Sequence, residues 1–237
     1  MFNKKQKNEF SGGAKAALPL VLGAIPFAIL FGTLAPTSGL SAIATVAMSV
    51  LVFAGSAQFI VLALIAVQAP LEMILLTTFV VNLRHVLYAT ALVEHVKHLS
   101  ITWRAILAFG LTDETFANMS QRYLQADKQD AHYFYLGSML CFYITWVSFT
   151  ILGLLLGSLI PDISSWGLEF AMSVTFIGMV VPYMNSKAMI SAILSAGICS
   201  LAFAYLPNKL GLIISALIGV FVGLAISKLD KRQLAYE

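Results

Sequence analysis

Long apolar stretches separated by short charged segments form the main pattern of the chain. No Asp, Glu, Lys or Arg lies between Lys15 and Glu72, and similar charge-free stretches recur throughout the second half of the sequence. A helix of about 20 residues crosses a hydrocarbon core about 30 Å thick, and these stretches are close to that length or longer. The pattern therefore predicts membrane-spanning helices near 16–36, 40–67, 71–93, 132–160, 168–184, 188–206 and 210–227.

The segment 101–120 has a mixed character. It begins as an apolar run from Ile101 to Leu111 and becomes polar at Thr112-Asp113-Glu114. It either crosses the bilayer or enters it and turns back, which gives about six to eight crossings in total. The sequence thus predicts an all-α integral membrane protein, a polytopic helical bundle with broken or re-entrant helices, formed as one transmembrane domain over residues 1–237.

The composition excludes several other classes of protein. Hydrophobic residues make up 59% of the chain and charged residues 11%, whereas a soluble domain carries about 25% charge. The net charge is only +3, so nothing indicates a nucleic-acid surface. Cys141 and Cys199 lie in apolar stretches without ligand spacing, and His95 and His98 lack a third ligand nearby. We therefore predict no metal site and no cofactor.

Positive charge at both ends of the chain indicates its orientation. Lys4, Lys5 and Lys7 precede the first apolar run, which is too long for a signal peptide and lacks a small-residue cleavage site. Lys228, Lys231 and Arg232 follow the last run. Since cytoplasmic segments are rich in Lys and Arg, we expect both termini in the cytoplasm. Arg122 and Lys128 place the central loop there too, whereas the side of the loop 94–104 depends on whether 40–67 spans or folds back.

Two short sequence motifs recur in the second half of the chain at nearly the same offset. Gly32–Pro36 and Ala47–Val50 have counterparts in Gly157–Pro161 and Ala171–Val174, which lie 125 and 124 residues further on. The recurrence indicates either chance in a low-diversity apolar sequence or a duplication with halves 11–125 and 130–237. Duplicated halves are common in transporters, whose binding sites lie at the repeat interface and are often formed by interrupted helices.

The first predicted interruption lies in the segment Phe53–Phe59. Gly55 and Ser56 are suited to break the helix, and a half-helix that starts at Ser56 would point free N–H groups into the membrane. Such a helix end binds carboxylates, and Gln58 adds an amide at the same depth. A face of small residues that packs against another helix is the alternative.

The second interruption is Asn82-Leu83-Arg84-His85. An arginine near the middle of a membrane helix costs about 2.5–3.5 kcal/mol, so Arg84 should face a polar cavity or a partner. Its planar fork suits the carboxylate of a ligand, although a structural pair with Asp113 or Glu114 is equally compatible. Tyr88 lies one turn from Arg84 on the same face, and the neighbouring His85 either carries a proton or is only hydrogen-bonded in place.

The third constellation begins at Thr112. Thr112 is suited to cap a helix whose first turn contains Asp113 and Glu114, either as a solvated helix start or as acids at membrane depth that neutralise an ammonium group. With Arg84 and Ser56 facing a carboxylate, the set suits a small zwitterion. The predicted substrate-binding residues are Gly55, Ser56, Gln58, Asn82, Arg84, Tyr88, Asp113 and Glu114, with His85, Asp113 and Glu114 as candidates for proton coupling.

At these three motifs the chain resembles the AzlC family, the large subunit of bacterial branched-chain amino acid exporters. The resemblance extends over nearly the whole chain. It implies efflux of leucine, isoleucine and valine, in some members methionine, across the inner membrane. It also implies a proton-driven transporter that works with a small membrane subunit of the AzlD type.

Two other classes of function remain as alternatives. A channel for a small polar solute uses similar broken helices without needing a matched acid and base. A membrane-embedded enzyme needs a nucleophile, for which Ser56 with His85 is the one candidate pair, and nothing in the sequence orients that histidine. We therefore expect a transporter and not an enzyme.

Overall fold

Helices joined by short turns make up the described part of the chain. The computed structural model describes residues 3–66, 68–125, 129–159, 177, 181, 184, 186–206 and 210–233. Its helices are α1 (Lys4–Thr37), α2 (Ala42–Leu51), α3 (Gly55–Ala66), α4 (Leu71–Asn82), α5 (Arg84–Val96), α6 (Ile101–Phe109), α7 (Asp113–Tyr123), α8 (Ala131–Leu159), α9 (Lys187–Ala202) and α10 (Leu210–Gln233). The described ranges contain no strand, and the predicted all-α membrane fold is confirmed.

Three helical stretches are long and apolar enough to cross a membrane. They are Lys4–Thr37, Leu71–Val96 and Ala131–Gly157, and they coincide with the predicted spans near 16–36, 71–93 and 132–160. The predicted spans near 188–206 and 210–227 fall on α9 and α10. The span predicted near 168–184 lies almost entirely outside the described residues.

Two predicted membrane segments consist of half-length helices. The segment 40–67 is divided into α2, with 10 residues, and α3, with 12 residues. The segment 101–120 is divided into α6, with 9 residues, and α7, with 11 residues. At about 1.5 Å per residue, each of these helices covers about half of a 30 Å hydrocarbon core. The prediction of broken helices is therefore confirmed in both segments.

The chain forms two compact units. The first contains Met1–Ala69 and Asn82–Thr175, and the second contains Pro70–Val81 and Phe176–Glu237. In the second unit, α9 and α10 pack closely, because a Cβ on Gly219 would meet the carbonyl oxygen of Ala192 at 2.8 Å. This division differs from the predicted halves 11–125 and 130–237, and the repeat stays a prediction.

Within the first unit, α1 and α8 pack through reciprocal glycine contacts. A Cβ on Gly13 would overlap the main chain of Phe134, and a Cβ on Gly137 would overlap the main chain of Phe10. Similar close contacts join residues 29–32 to 150–153. Because both contacts advance together along the two helices, α1 and α8 run in the same direction. Phe10 and Phe134, like Gly13 and Gly137, are 124 residues apart, the same offset as that between Ala47–Val50 and Ala171–Val174. In a duplicated chain α1 and α8 would therefore be equivalent helices, and their common direction favours a parallel repeat over an inverted one.

A buried ion pair joins the beginning of α1 to the end of α7. Arg122 donates from Nε and Nη2 to the carboxylate of Glu9 at 3.1 and 2.8 Å, and its side chain is 5% exposed. Arg122 also lies over the ring of Phe134 at 5.8 Å from the centroid. Arg122 therefore lies in the last turn of α7 and not in the loop itself, whereas Lys128 lies outside the described residues; the cytoplasmic side of the central loop stays a prediction.

Candidate functional site

The site is built around a helix break whose backbone conformation is held by packing. Sequence predicts the break at Gly55 and Ser56, but the left-handed residue is Phe53, with a φ of 37°. For a bulky residue this conformation costs on the order of 1–3 kcal/mol. The Phe53 ring is 4% exposed and packs on Tyr143, with ring centroids 5.1 Å apart. Tyr143 also donates a hydrogen bond to the carbonyl of Val50 at 3.0 Å, so the end of α2 is stabilised beside the break.

An ion pair at the start of two helices forms the centre of the site. Arg84, the first residue of α5, places Nη1 2.7 Å from Oδ2 of Asp113, the first residue of α7. The other carboxylate oxygen of Asp113 accepts a hydrogen bond from the Tyr88 hydroxyl at 2.5 Å. The two charged side chains are 25% and 14% exposed. The structure thus brings together three of the predicted site residues, in the pairing that the sequence allowed as an alternative.

Arg84 also connects this pair to the first residues of α3. Its Nη2 donates to Oγ of Ser56 at 2.5 Å. One guanidinium therefore contacts the start of α3 and the start of α7, the two half-length helices that follow the breaks. Gly55 lies beside Ser56 and packs against Trp146, since a Cβ at this glycine would meet the indole at 2.9 Å.

Two buried polar atoms at the site have no hydrogen-bond partner in the described structure. They are Nε of Arg84, a donor, and Oδ1 of Asn82, an acceptor. A buried polar group without a partner costs about 1–3 kcal/mol, so such atoms are rare unless a ligand or water uses them. One unused donor and one unused acceptor match the two ends of a zwitterion.

The start of α7 has the predicted capping arrangement. The Thr112 hydroxyl accepts from the main-chain N–H of Thr115 at 3.3 Å, and the Thr115 hydroxyl accepts from the N–H of Thr112 at 2.7 Å. The carboxylate that pairs with Arg84 belongs to Asp113 and not to the adjacent Glu114. The two adjacent acids therefore have different surroundings.

Gln58 lies in a separate buried network. Its Oε1 accepts from the Trp146 indole at 3.0 Å, and its Nε2 donates to Oγ of Ser49 at 3.1 Å. Ser49 is hydrogen-bonded to Thr150 at 2.9 Å. Because Gln58 is fully buried and both ends of its amide have partners, it fixes the first turn of α3 two residues beyond Ser56. Sequence reasoning missed Ser49, Trp146 and Thr150; a membrane tryptophan, whose N–H needs an acceptor, was the available signal.

His85 and the aromatic residues lie next to the ion pair. Nδ1 of His85 donates to the main-chain oxygen of Asn82 at 3.0 Å, as the sequence allowed. The Tyr88 ring stacks on Phe116, with centroids 4.5 Å apart and an interplanar angle of 16°. Phe116 was not among the predicted site residues. This stack gives the polar centre an apolar wall formed by α5 and α7.

No metal centre is visible in the part of the chain that the structure describes. Within those ranges, no three His, Cys, Asp or Glu side chains are grouped so as to hold a metal ion. His95, one of the two closely spaced histidines, stacks on Tyr123 with ring centroids 4.1 Å apart.

Comparison with known proteins gives one family. The family model described as AzlC protein matches residues 19–160. An uncharacterized membrane protein of Archaeoglobus fulgidus is 35% identical over 89% of this chain and 92% of its own length. Inner membrane protein YgaZ of Escherichia coli is 28% identical over 95% and 85% of the two chains.

A third relative has a name that states a function. It is the branched-chain amino acid transport protein AzlC of Bacillus subtilis, which is 26% identical over 76% of this chain and 70% of its own. No solved structure matches the chain.

Proposed function

Because the chain belongs to the AzlC family, we propose that it exports branched-chain amino acids across the cytoplasmic membrane in exchange for protons. Leucine, isoleucine and valine, and also methionine, are the proposed substrates, and a small AzlD-like membrane subunit is the proposed partner. The name of the Bacillus subtilis relative supports the substrate class. The observation that carries the proposal is the Arg84–Asp113 ion pair, which lies between two helix breaks beside an unused donor and acceptor.

A zwitterion is the ligand that matches this charge arrangement. In the empty site Arg84 and Asp113 neutralise each other at 2.7 Å. An α-amino acid replaces this contact without leaving a net charge, because its carboxylate pairs with Arg84 and its ammonium group pairs with Asp113. Nε of Arg84 and Oδ1 of Asn82, which have no partner in the described structure, then bind the carboxylate and the ammonium group. Placing a charged ligand in a low-dielectric site is favourable only with such paired partners.

Competition for Asp113 provides the coupling to protons. A proton on Asp113 removes the negative charge that holds the ammonium group, so proton and substrate exclude each other. Binding one at a time is what exchange requires: a proton that enters from outside displaces the amino acid, and an amino acid from the cytoplasm displaces the proton. Tyr88, which donates to the same carboxylate, holds Asp113 in place in both states. His85 and Glu114 are the proposed neighbouring groups for proton transfer.

The parallel arrangement of α1 and α8 supports the proposed orientation. Since both helices run in the same direction, the start of α8 lies on the same side of the membrane as the start of α1. The N-terminal lysines and the segment before Ala131 then share the cytoplasmic side. This agrees with the Lys and Arg distribution of the sequence.

Efflux from intact cells tests the proposal. Cells preloaded with isotope-labelled leucine, valine or methionine are compared with the chain expressed alone, with a candidate small subunit alone, and with both. We expect efflux only with both proteins, and its collapse on addition of an uncoupler. Flux that does not saturate and continues without the gradient would instead identify a channel, and absence of efflux in every arm would contradict the proposal.

A further inference from the structure

A largely apolar cavity lies between four helices of the first unit. It has a volume of about 200 Å³ and is lined by residues of α5, α6, α7 and α8 and of the turn after α6. Its wall includes the buried side chains of Leu92, Leu107, Met119 and Tyr135. The Tyr135 hydroxyl donates a hydrogen bond to the main-chain oxygen of Leu107 at 2.9 Å, so this hydroxyl has a partner without a ligand.

One charged side chain lines this cavity. It belongs to Arg104 of α6, which is an exposed residue and lies at the rim of the cavity. Among the residues that the structure describes, the guanidinium of Arg104 has no hydrogen-bond or ion-pair partner. An apolar cavity with a single cation and no lining carboxylate matches an aliphatic chain that carries a carboxylate.

The cavity follows the central ion pair along the same two helices. Tyr88 of α5 stacks on Phe116 of α7, and further along His95 stacks on Tyr123 at 4.1 Å. The two helices therefore run side by side in the same direction. The cavity begins directly beyond the Tyr88–Phe116 stack, since Ala89 lines it, and it extends toward the ends of α5 and α7. The cavity therefore lies further along α5 and α7 than Arg84 and Asp113, which are the first residues of these helices.

The volume favours a small ligand over a lipid tail. A cavity of about 150 Å³ binds benzene, with six carbon atoms. By the same proportion, about 200 Å³ takes on the order of eight non-hydrogen atoms, which is close to the size of leucine. The cavity is open on one side, since Ala89, Val93 and Arg104 are exposed, and an acyl chain that fills one leaflet, about 15 Å long, would enter it only in part.

We propose that this cavity is a second binding site for the aliphatic amino acids that the protein carries, in which Arg104 holds the carboxylate and the apolar wall takes the side chain. The inference rests on the proposed function, because it assigns the same substrate class to both sites. The second site selects for aliphatic side chains before the substrate reaches the ion pair.

Binding of labelled amino acids to the purified protein, reconstituted with a candidate small subunit in lipid nanodiscs, tests this inference. Ala89→Leu fills the cavity, and Arg104→Gln removes the cation. Ala91→Leu is the matched control, because Ala91 is an exposed residue of α5 that does not line the cavity. Each change is also made in an Arg84→Gln background, in which the central site is disabled. The tested ligands are leucine, valine and alanine.

We expect the Arg84→Gln protein to retain leucine binding, and we expect Ala89→Leu or Arg104→Gln to weaken that binding at least about tenfold, since one methylene in an apolar pocket is worth about 10-fold or more. Alanine binding should change much less in Ala89→Leu, and Ala91→Leu should match its parent. Unchanged leucine binding in Ala89→Leu and Arg104→Gln would overturn the second site while leaving the proposed function intact. A result in which Arg104→Gln weakens the binding of anionic lipid but leaves amino-acid binding unchanged would also overturn the second site. Failure of the unaltered protein to bind any aliphatic amino acid would overturn both proposals.

Discussion

Replacing Asp113 by asparagine separates the charge of this residue from its shape. The carboxylate contacts Arg84 through one oxygen at 2.7 Å and Tyr88 through the other at 2.5 Å. Asparagine keeps an acceptor oxygen but provides no negative charge for an ammonium group. A hydrogen bond that involves a charged group contributes about 1.5–3 kcal/mol. Because about 1.4 kcal/mol corresponds to tenfold, we expect the half-saturation concentration for leucine to rise about 10–100-fold.

The adjacent acid provides a matched control. Glu114→Gln makes the same chemical change one residue away, but the ion pair with Arg84 is formed by Asp113 and not by Glu114. We expect this variant to keep leucine affinity within about threefold, since no charge-assisted contact of the ion pair is removed.

Transport by Asp113→Asn should also become insensitive to an uncoupler, because the exchanged proton has lost its site.

The assay is labelled leucine transport in membrane vesicles that contain the chain with a candidate small subunit, at equal amounts of inserted protein. The amount must be controlled because removal of one partner from a buried ion pair costs about 3–5 kcal/mol, which is enough to lower the folded fraction. Wild-type affinity and full uncoupler sensitivity in Asp113→Asn would refute the role of Asp113. Equal loss in both variants would refute the distinction between the two acids.

Three further predictions concern the fold that supports the site; thermal unfolding of purified protein checks the first two, and the yield of folded protein checks the third. Glu9→Gln should destabilise the fold by about 3 kcal/mol, because Arg122 is left buried without its counter-charge; an unchanged transition would show that the pair contributes little. Gln58→Leu should cost about 1–3 kcal/mol, since the Trp146 indole loses its acceptor, and equal stability would contradict the network. Gly137→Val should reduce the folded yield, because a Cβ overlaps the main chain of α1, and normal yield would show that the two helices separate easily.

Local patterns were sufficient to predict the helices and the breaks between them. Charge-free stretches of spanning length predicted the long helices, because the bilayer leaves few other backbone structures. The Thr112 cap could be predicted because its hydrogen-bond partner, Thr115, lies only three residues further along the chain. The pairing of Arg84 with Asp113 was one of two open readings, since sequence alone does not show which acid the fold brings to the arginine.

Contacts between residues far apart in the sequence could not be predicted from such local patterns. Glu9 and Arg122 pair across 113 residues, and Gln58 and Trp146 across 88. No periodicity in the sequence encodes such distances, so neither of these two contacts was predictable. The exact position of the first break was also unpredictable, because Phe53 takes its left-handed backbone only where the surrounding aromatic rings hold it.

Leucine uptake into everted membrane vesicles tests the central claim that the Arg84–Asp113 pair exchanges an amino acid for a proton. These vesicles expose the cytoplasmic side and are acidified inside by respiration, so an exporter accumulates leucine within them. We expect saturable uptake in the presence of the small subunit, its collapse on addition of an uncoupler, and its loss in Arg84→Gln at equal protein amount. Uptake that persists in Arg84→Gln, or that ignores the proton gradient in the unaltered protein, would contradict the claim.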